Sequence, residues 1–254
     1  MEGVRAILTH VLVGALLASM VVRTIAGLRM WRRLPQDGVG DAAIRARLYR
    51  RSIVASWATT SAVPLIWLSR GGLSAADLGW AVPSGRGALA AYVLALVLLA
   101  AAVTGAVRQR RWIQRGHRVL GGARTDLIRP RTAGERRMVV VLSLTAGITE
   151  EAVFRGLLMA VGISVYHVPV LLVAILSVAL FAAGHAYQGV YGVIGTAALG
   201  AAYTAIYELS GSLALPIVLH VCQDLLGLLV VPPSPQPPST APKAAYADEG
   251  RQAA

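Results

Sequence analysis

Thr149-Glu150-Glu151-Ala152-Val153-Phe154-Arg155 lies inside an otherwise apolar run from Met138 to Val165. Two adjacent carboxylates and an arginine stand where a membrane helix is expected to be hydrocarbon. Each ionised side chain at the centre of a bilayer costs roughly 2.5–3.5 kcal/mol on insertion scales. Such a helix needs compensating partners or a chemical task. Glu151 and Arg155 are four apart with the acid first, the spacing and order of a helical ion pair. That pairing is the cheapest way to carry an arginine in hydrocarbon. Glu150 points about 100° away around the helix and is left over. It is either a neutral group bonded to a neighbouring helix or a base that takes a proton from water and returns it to a leaving amine.

Two later apolar segments add histidines. Phe181-Ala182-Ala183-Gly184-His185 sets an aromatic ring one turn before a histidine, and Gly184 lets a helix, water or substrate come close. Phe181 and Gly184 are therefore candidate walls of a substrate cavity. His220-Val221-Cys222-Gln223-Asp224 sets a histidine and a carboxylate at i and i+4. Asp224 can orient the His220 ring, as carboxylates behind catalytic or metal-bound imidazoles do, or it can itself meet water, metal or substrate. His185, His220 and Glu150 suit Zn2+ or another divalent metal with a position left for water. The same groups can also work without metal, Glu150 as base and the histidines stabilising an oxyanion. The sequence leaves both routes open. A zincin His-Glu-x-x-His is absent.

Around these segments the chain reads as an all-α, polytopic membrane protein. Of its 254 residues 56% are hydrophobic and 14% charged, with mean hydropathy +0.62; a soluble domain carries about 25% charged residues. Apolar spans are expected at 4–28, 52–68, 87–107, 138–165, 168–185, 189–209 and 213–231. Ala42 to Arg51 is expected as a short helix on anionic headgroups, Pro64 as a kink, and Arg23 as a snorkelling side chain. The net charge of +12 gathers in loops at 29–51 and 108–137. These fit the positive-inside rule better than a nucleic-acid surface, so no nucleic-acid partner is expected. Cys222 is the single cysteine, which excludes an intramolecular disulfide. Residues 232–254 hold six of the twelve prolines and are expected to form a disordered tail.

Glu150-Glu151-x-x-x-Arg155, then Phe181-x-x-x-His185, then His220-x-x-x-Asp224, in this order on successive apolar segments, resembles the CAAX-processing and bacteriocin-immunity family. These intramembrane proteases include the eukaryotic CAAX prenyl endopeptidase and are often called Abi proteins in bacteria. Gly147-Ile148, Arg155-Gly156, Leu209-Ser210-Gly211-Ser212-Leu213 and Leu78-Gly79 add to the likeness. The resemblance implies seven to eight transmembrane helices with a conical intramembrane cavity. It divides the chain into N-terminal helices and basic loops (1–134), a catalytic core (135–231) and the tail. It implies hydrolysis of a peptide bond in a membrane-associated peptide or protein, with Glu150, Glu151, Arg155, His185, His220 and Asp224 as the catalytic set. The family pattern usually ends in Asn where this chain has Asp224; an ionised Asp cannot donate to an oxyanion, so Asp224 is either protonated or serves the histidine or a metal. The composition resembles that of a high-GC bacterium, which suggests a bacterial plasma membrane, lipids as neighbours and a tail facing the cytoplasm. The alternative is a non-catalytic transporter, or a partner-binding or immunity protein, using the same charges to handle protons or ions. The sequence does not fix an oligomeric state.

Overall fold

The computed structural model describes residues 2–33, 41–70, 73–117 and 125–233. They form helices α1 (Glu2–Arg33), α2 (Ala42–Thr60), α3 (Ala62–Arg70), α4 (Ala88–Gln114), α5 (Ala133–Glu151), α6 (Leu158–Ser164), α7 (Val170–Gly184), α8 (Val190–Ser210) and α9 (Ala214–Leu225). A π-helical turn, Ala152–Leu157, joins α5 to α6, and a second, Leu226–Val230, prolongs α9. With α3 continuing α2, the described residues make seven helical rods and no strand. The chain is a helical membrane protein. The Pro-rich tail beyond residue 233 lies outside the described residues.

Several expectations shift. Residues 42–51 are not a separate surface helix. They are the first turns of α2, started by Asp41, whose carboxylate accepts from the Ala43 and Ile44 amides at 2.7 and 3.3 Å. The break in this rod comes at Ser61, three residues before Pro64. A proline ring clashes with the carbonyl four residues back, here that of Thr60, so the disruption appears upstream of the ring. Arg23 reaches α2, where its Nη1 donates to the Ala55 carbonyl at 2.8 Å and to the Thr59 hydroxyl.

Length and apolarity alone mark four rods as able to cross a membrane: Gly3–Arg32, Ala42–Ser69, Ala88–Gln114 and Val190–Ser210. The other three carry the charged motifs. The α5–α6 rod holds Glu150, Glu151 and Arg155. The fifteen residues of α7 rise only about 22 Å at 1.5 Å each, short of a hydrocarbon core of about 30 Å. The rod begun by α9 is also short.

α5 is central, packed between α2 and α9, while α8 packs against α4 and α7. Small residues set these approaches, as in membrane interiors. A Cβ on Gly147 would fall 2.5 Å from Val221 Cγ2 and 3.2 Å from the Ile217 carbonyl of α9. At one end of the bundle, buried Arg45 of α2 meets Glu135 of α5 at 2.8 Å, where a Thr132–Glu135 capping box starts α5. Arg129 there holds the Pro232 carbonyl at 2.9 Å and pairs with Asp126. At the other end the loop from Leu73 to Gly87 closes over the α8–α9 turn. Gly79 (φ 78°) turns its carbonyl to the Leu213 amide at 2.9 Å, and Leu78 is buried with its carbonyl beside Gly156.

Candidate active site

The acid pair ends α5, and the π-turn follows directly. A π-turn inserts a residue into the helical ladder and is frequent at functional sites. Its Phe154 carbonyl is taken up by the Ser177 hydroxyl of α7 at 2.7 Å, which ties α5 to α7 beside the acids. Glu151 is fully buried, and its Oε1 accepts from Arg155 Nη1 at 3.1 Å and from His220 Nδ1 at 2.7 Å. The ion pair expected from the spacing is therefore present, and one carboxylate oxygen serves both α6's side of the rod and α9.

Arg155 is enclosed on every side. Its Nη2 donates to the Gly200 carbonyl at 2.9 Å, its Nε to Thr204 Oγ1 at 3.4 Å, and its guanidinium lies 4.4 Å from the centre of the Phe181 ring. A Cβ at Gly200 would stand 3.0 Å from Arg155 Nη2 and from Phe181 Cδ1, so a larger residue there would press on the guanidinium and the ring. Gly200 and Thr204 were not among the residues singled out from sequence. Their spacing of one turn on an apolar helix, small residue then hydroxyl, is the available signal.

His185 is the residue that ends α7. Its Nδ1–H donates to the Phe181 carbonyl at 2.8 Å, one of the carbonyls that every helix leaves unpaired at its C-terminus. A carbonyl only accepts, so this bond fixes the tautomer and leaves Nε2 free for chemistry. On His220 the Glu151 carboxylate does the same. Both Nε2 atoms then face Glu150: His185 Nε2 and His220 Nε2 each lie 3.9 Å from Glu150 Oε2. That oxygen is buried and has no hydrogen-bond partner among the described residues. Sequence reasoning placed these three groups together, and the fold brings them to one point.

Two of the expected positions differ. Asp224 does not orient His220, because Glu151 holds that ring; Asp224 sits one turn further along α9, half-buried, with electrostatic influence on both histidines and Glu150. Phe181 does not line an open cavity. It is 3% exposed and packs edge-on against Phe154 and His220, with centroids 5.1 and 6.0 Å away. Its task is to cover Arg155 and to lend His185 a carbonyl. Gly184, by contrast, is exposed, with nothing within 4 Å of where a Cβ would stand.

The donor set of Glu150, His185 and His220 is chemically apt for a divalent cation, but the spacing is not that of a metal cradle. Two ligands of one tetrahedral zinc lie about 3.3 Å apart, given Zn–N bonds of about 2.0–2.1 Å. The 3.9 Å separations are wider, and no group of three His, Cys, Asp or Glu among the described residues is gathered to hold a metal ion. What the arrangement can do with its own atoms is accept and donate protons around a common point.

Comparison with known proteins fits this geometry. Residues 133–226 match the family model described as type II CAAX prenyl endopeptidase Rce1-like. No curated protein and no solved structure matches the chain. The matched stretch starts at the capping box of α5 and ends one residue past α9, so it contains every group that meets at Glu150. Over residues 133–226, this membrane protein is thus similar to the Rce1-like type II CAAX prenyl endopeptidases.

Proposed function

We propose that this protein is an intramembrane endopeptidase in which Glu150 activates water against a peptide bond of a membrane-associated substrate. The observation that carries this reading is the convergence of His185 Nε2 and His220 Nε2 on the unpartnered Glu150 Oε2, at 3.9 Å each. Glu150 takes a proton from water as the water oxygen bonds to the carbonyl carbon. His220, with a carboxylate behind its Nδ1, is suited to carry the positive charge that arises when its Nε2 holds a proton, the logic of a triad histidine. It faces the developing oxyanion. His185 passes the proton on as the carbon–nitrogen bond breaks, so that one water yields a carboxylic acid and an amine. Arg155 and Glu151 are positioning residues: they hold His220 and touch no reacting atom. No step requires a metal.

The substrate belongs to the class the family name indicates, a hydrophobic or lipid-modified peptide at a membrane, here at a plasma membrane. The test is cleavage of a library of prenylated and unmodified hydrophobic peptides by purified protein in lipid nanodiscs, read by mass spectrometry. Wild type should cut at a defined bond, and Glu150→Gln should lose at least about 100-fold in kcat, the usual range for a general base, while unfolding at an unchanged temperature. Activity that survives strong chelation supports the residue-only mechanism. A stoichiometric metal whose removal abolishes cleavage would replace it. Well-folded wild type that cuts nothing would turn the reading toward proton or ion handling by the same charges.

A further inference from the structure

Among the described residues each buried arginine meets a carboxylate: Arg45 meets Glu135, Arg155 meets Glu151 and Arg129 meets Asp126. Arg23 makes no such pair. It sits in the apolar span Gly3–Arg32 of α1 and is exposed. Its Nη1 donates to two neutral acceptors of α2, the Ala55 carbonyl at 2.8 Å and the Thr59 hydroxyl, and Glu150 acts on it electrostatically without an ion pair. Nε and Nη2, which together can grip an oxyanion as a fork, make no hydrogen bond among the described residues. A cation in hydrocarbon without a counter-charge costs roughly 2.5–3.5 kcal/mol on insertion scales, so an anion brought to Arg23 is favoured.

A groove of about 180 Å³ begins beside this guanidinium. Helix α1 packs along α3 and meets α2 only sparsely, which leaves a furrow next to the break at Ser61. Leu12, Leu16 and Ser19 line one side of it, and Ala58, Thr59 and Leu65 line the other. Ser19 lies one turn before Arg23 on the same face of α1, and Thr59 is the residue that Arg23 holds, so the cation stands at one end of the groove. Every hydroxyl along the walls is bonded back to its own helix: Ser19 to the Leu16 carbonyl at 2.7 Å, Ser61 to the Ala58 carbonyl at 2.7 Å and Thr59 to the Ala55 carbonyl at 2.9 Å. The walls therefore offer hydrocarbon contact. A peptide backbone laid there would leave its polar groups without partners, whereas a hydrocarbon chain has none to satisfy. An apolar groove with one cation at its end fits an amphiphile with an anionic head.

The dimensions suit one leaflet of a bilayer. Leu12 and Arg23 are eleven residues apart, about 16 Å of helix, and one leaflet contributes about 15 Å of hydrocarbon. On α2, Arg50 and Arg51 are exposed, as basic side chains at headgroup level are. Arg51 precedes Ala55 by one helical turn, about 6 Å, so a phosphate drawn to that level is within reach of the guanidinium that Ala55 and Thr59 hold. We infer that the groove takes one acyl chain of an anionic phospholipid whose phosphate is received by Arg23, in the leaflet that faces Arg50 and Arg51. The lipid supplies the counter-charge that α1 lacks and fills the seam between α1 and the break in the α2–α3 rod. This site is separate from the groups around Glu150 and does not rest on the endopeptidase reading.

In the experiment, full-length protein is released from nanodiscs made of equal parts phosphatidylglycerol and phosphatidylcholine, and the lipids that stay bound are identified by native mass spectrometry. Wild type should retain phosphatidylglycerol at least about tenfold over phosphatidylcholine, the scale of a charge-assisted hydrogen bond. Arg23→Gln should erase this preference, and Arg23→Lys should keep part of it. Ala58→Phe places a ring in the groove from an exposed position and should lower retention of phosphatidylglycerol although Arg23 is intact. Arg108→Gln removes an exposed arginine of α4, the same change in net charge, and should leave the preference as it is. Added phosphatidylglycerol should raise the unfolding temperature of wild type more than that of Arg23→Gln, as a ligand of the folded state does. Absence of a preference in wild type, or a preference that survives Arg23→Gln, overturns the inference. Equal losses in Arg23→Gln and Arg108→Gln overturn it as well, since they would assign the effect to overall charge. Retention unchanged in Ala58→Phe, or displacement of the lipid by inorganic phosphate, would show an anion site without a chain groove and likewise sink it. Peptide cleavage is not part of the readout, so the two readings stand or fall separately.

Discussion

At the scale of single residues, the site is built on one fully buried carboxylate, Glu151, that accepts from both Arg155 and His220. Removing one partner of a buried pair costs about 3–5 kcal/mol, because the other charge is left stranded. Glu151 therefore tolerates little, and the sequence motif that contains it is legible as an ion pair before any fold is known. Gly200 is the less visible counterpart. Its absent Cβ is the space that Arg155 and Phe181 occupy at 3.0 Å. Gly200→Ala should lower stability by about 1–3 kcal/mol, the range for overpacking, and reduce peptide cleavage because Arg155 and Glu151 shift under His220. Thermal unfolding in detergent and the nanodisc cleavage assay measure the two effects. An unchanged unfolding temperature would show that the guanidinium has room elsewhere.

At the scale of elements, the chemistry depends on how closely α5 and α9 approach. Glu150 and Glu151 belong to α5 and His220 to α9, and Gly147 lies one turn before the acids at the point where the helices touch. Gly147→Ala places a methyl 2.5 Å from Val221 Cγ2. It should slow cleavage by more than its stability loss implies, since moving α9 by a fraction of an ångström separates His220 from Glu150. Comparing cleavage rates at a temperature where both proteins are fully folded tests this. The loop at the opposite end answers to pH. Asp77 accepts from the Ser74 amide at 2.6 Å and the Ser74 hydroxyl at 2.8 Å, and these bonds hold its carboxyl below the ordinary aspartate value of 3.8. A depressed folded value means that the contribution to stability is complete above 3.8 and is lost as pH falls through the lowered value. Wild type should thus exceed Asp77→Asn in stability at neutral pH, with the gap closing in acid. The gap will be modest because Asp77 is exposed and screened by solvent. A gap independent of pH would show that the carboxylate form is not what holds the loop.

At the scale of the whole molecule, the two ends of the bundle have opposite characters. Arg45, Glu135, Arg129 and Pro232 share one end. Thr9 with Ser69, His10 with Tyr166, and Gly79 with Leu213 mark the other. We expect the basic flanks at the first end to face the cytoplasm and the end that carries Ser84 to face outward. In a Cys222→Ser background, a cysteine at Ser84 should react with an impermeant maleimide added to intact cells, and one at Arg131 only after lysis. The reverse pattern would invert the orientation.

The seven apolar segments were legible from the sequence because apolarity is a property of contiguous residues, although by length and apolarity only four of the rods can cross a membrane. So was the pairing of Glu151 with Arg155, which is a matter of helical spacing, and so was the order of the three motifs. The sequence misled at residues 42–51, where basic residues suggest a headgroup surface. Arg45 is instead buried because Glu135, ninety residues away, lies beside it. It also left open which group holds His220. Asp224 is the near neighbour in sequence, but the tertiary fold hands that ring to Glu151 on another helix, because α5 and α9 meet at Gly147. The cover of Phe181 over Arg155 and the convergence of two imidazoles on Glu150 likewise exist only once separate helices pack. Spacing along one helix can be read from a sequence; distance between helices is set by which small residues let them touch.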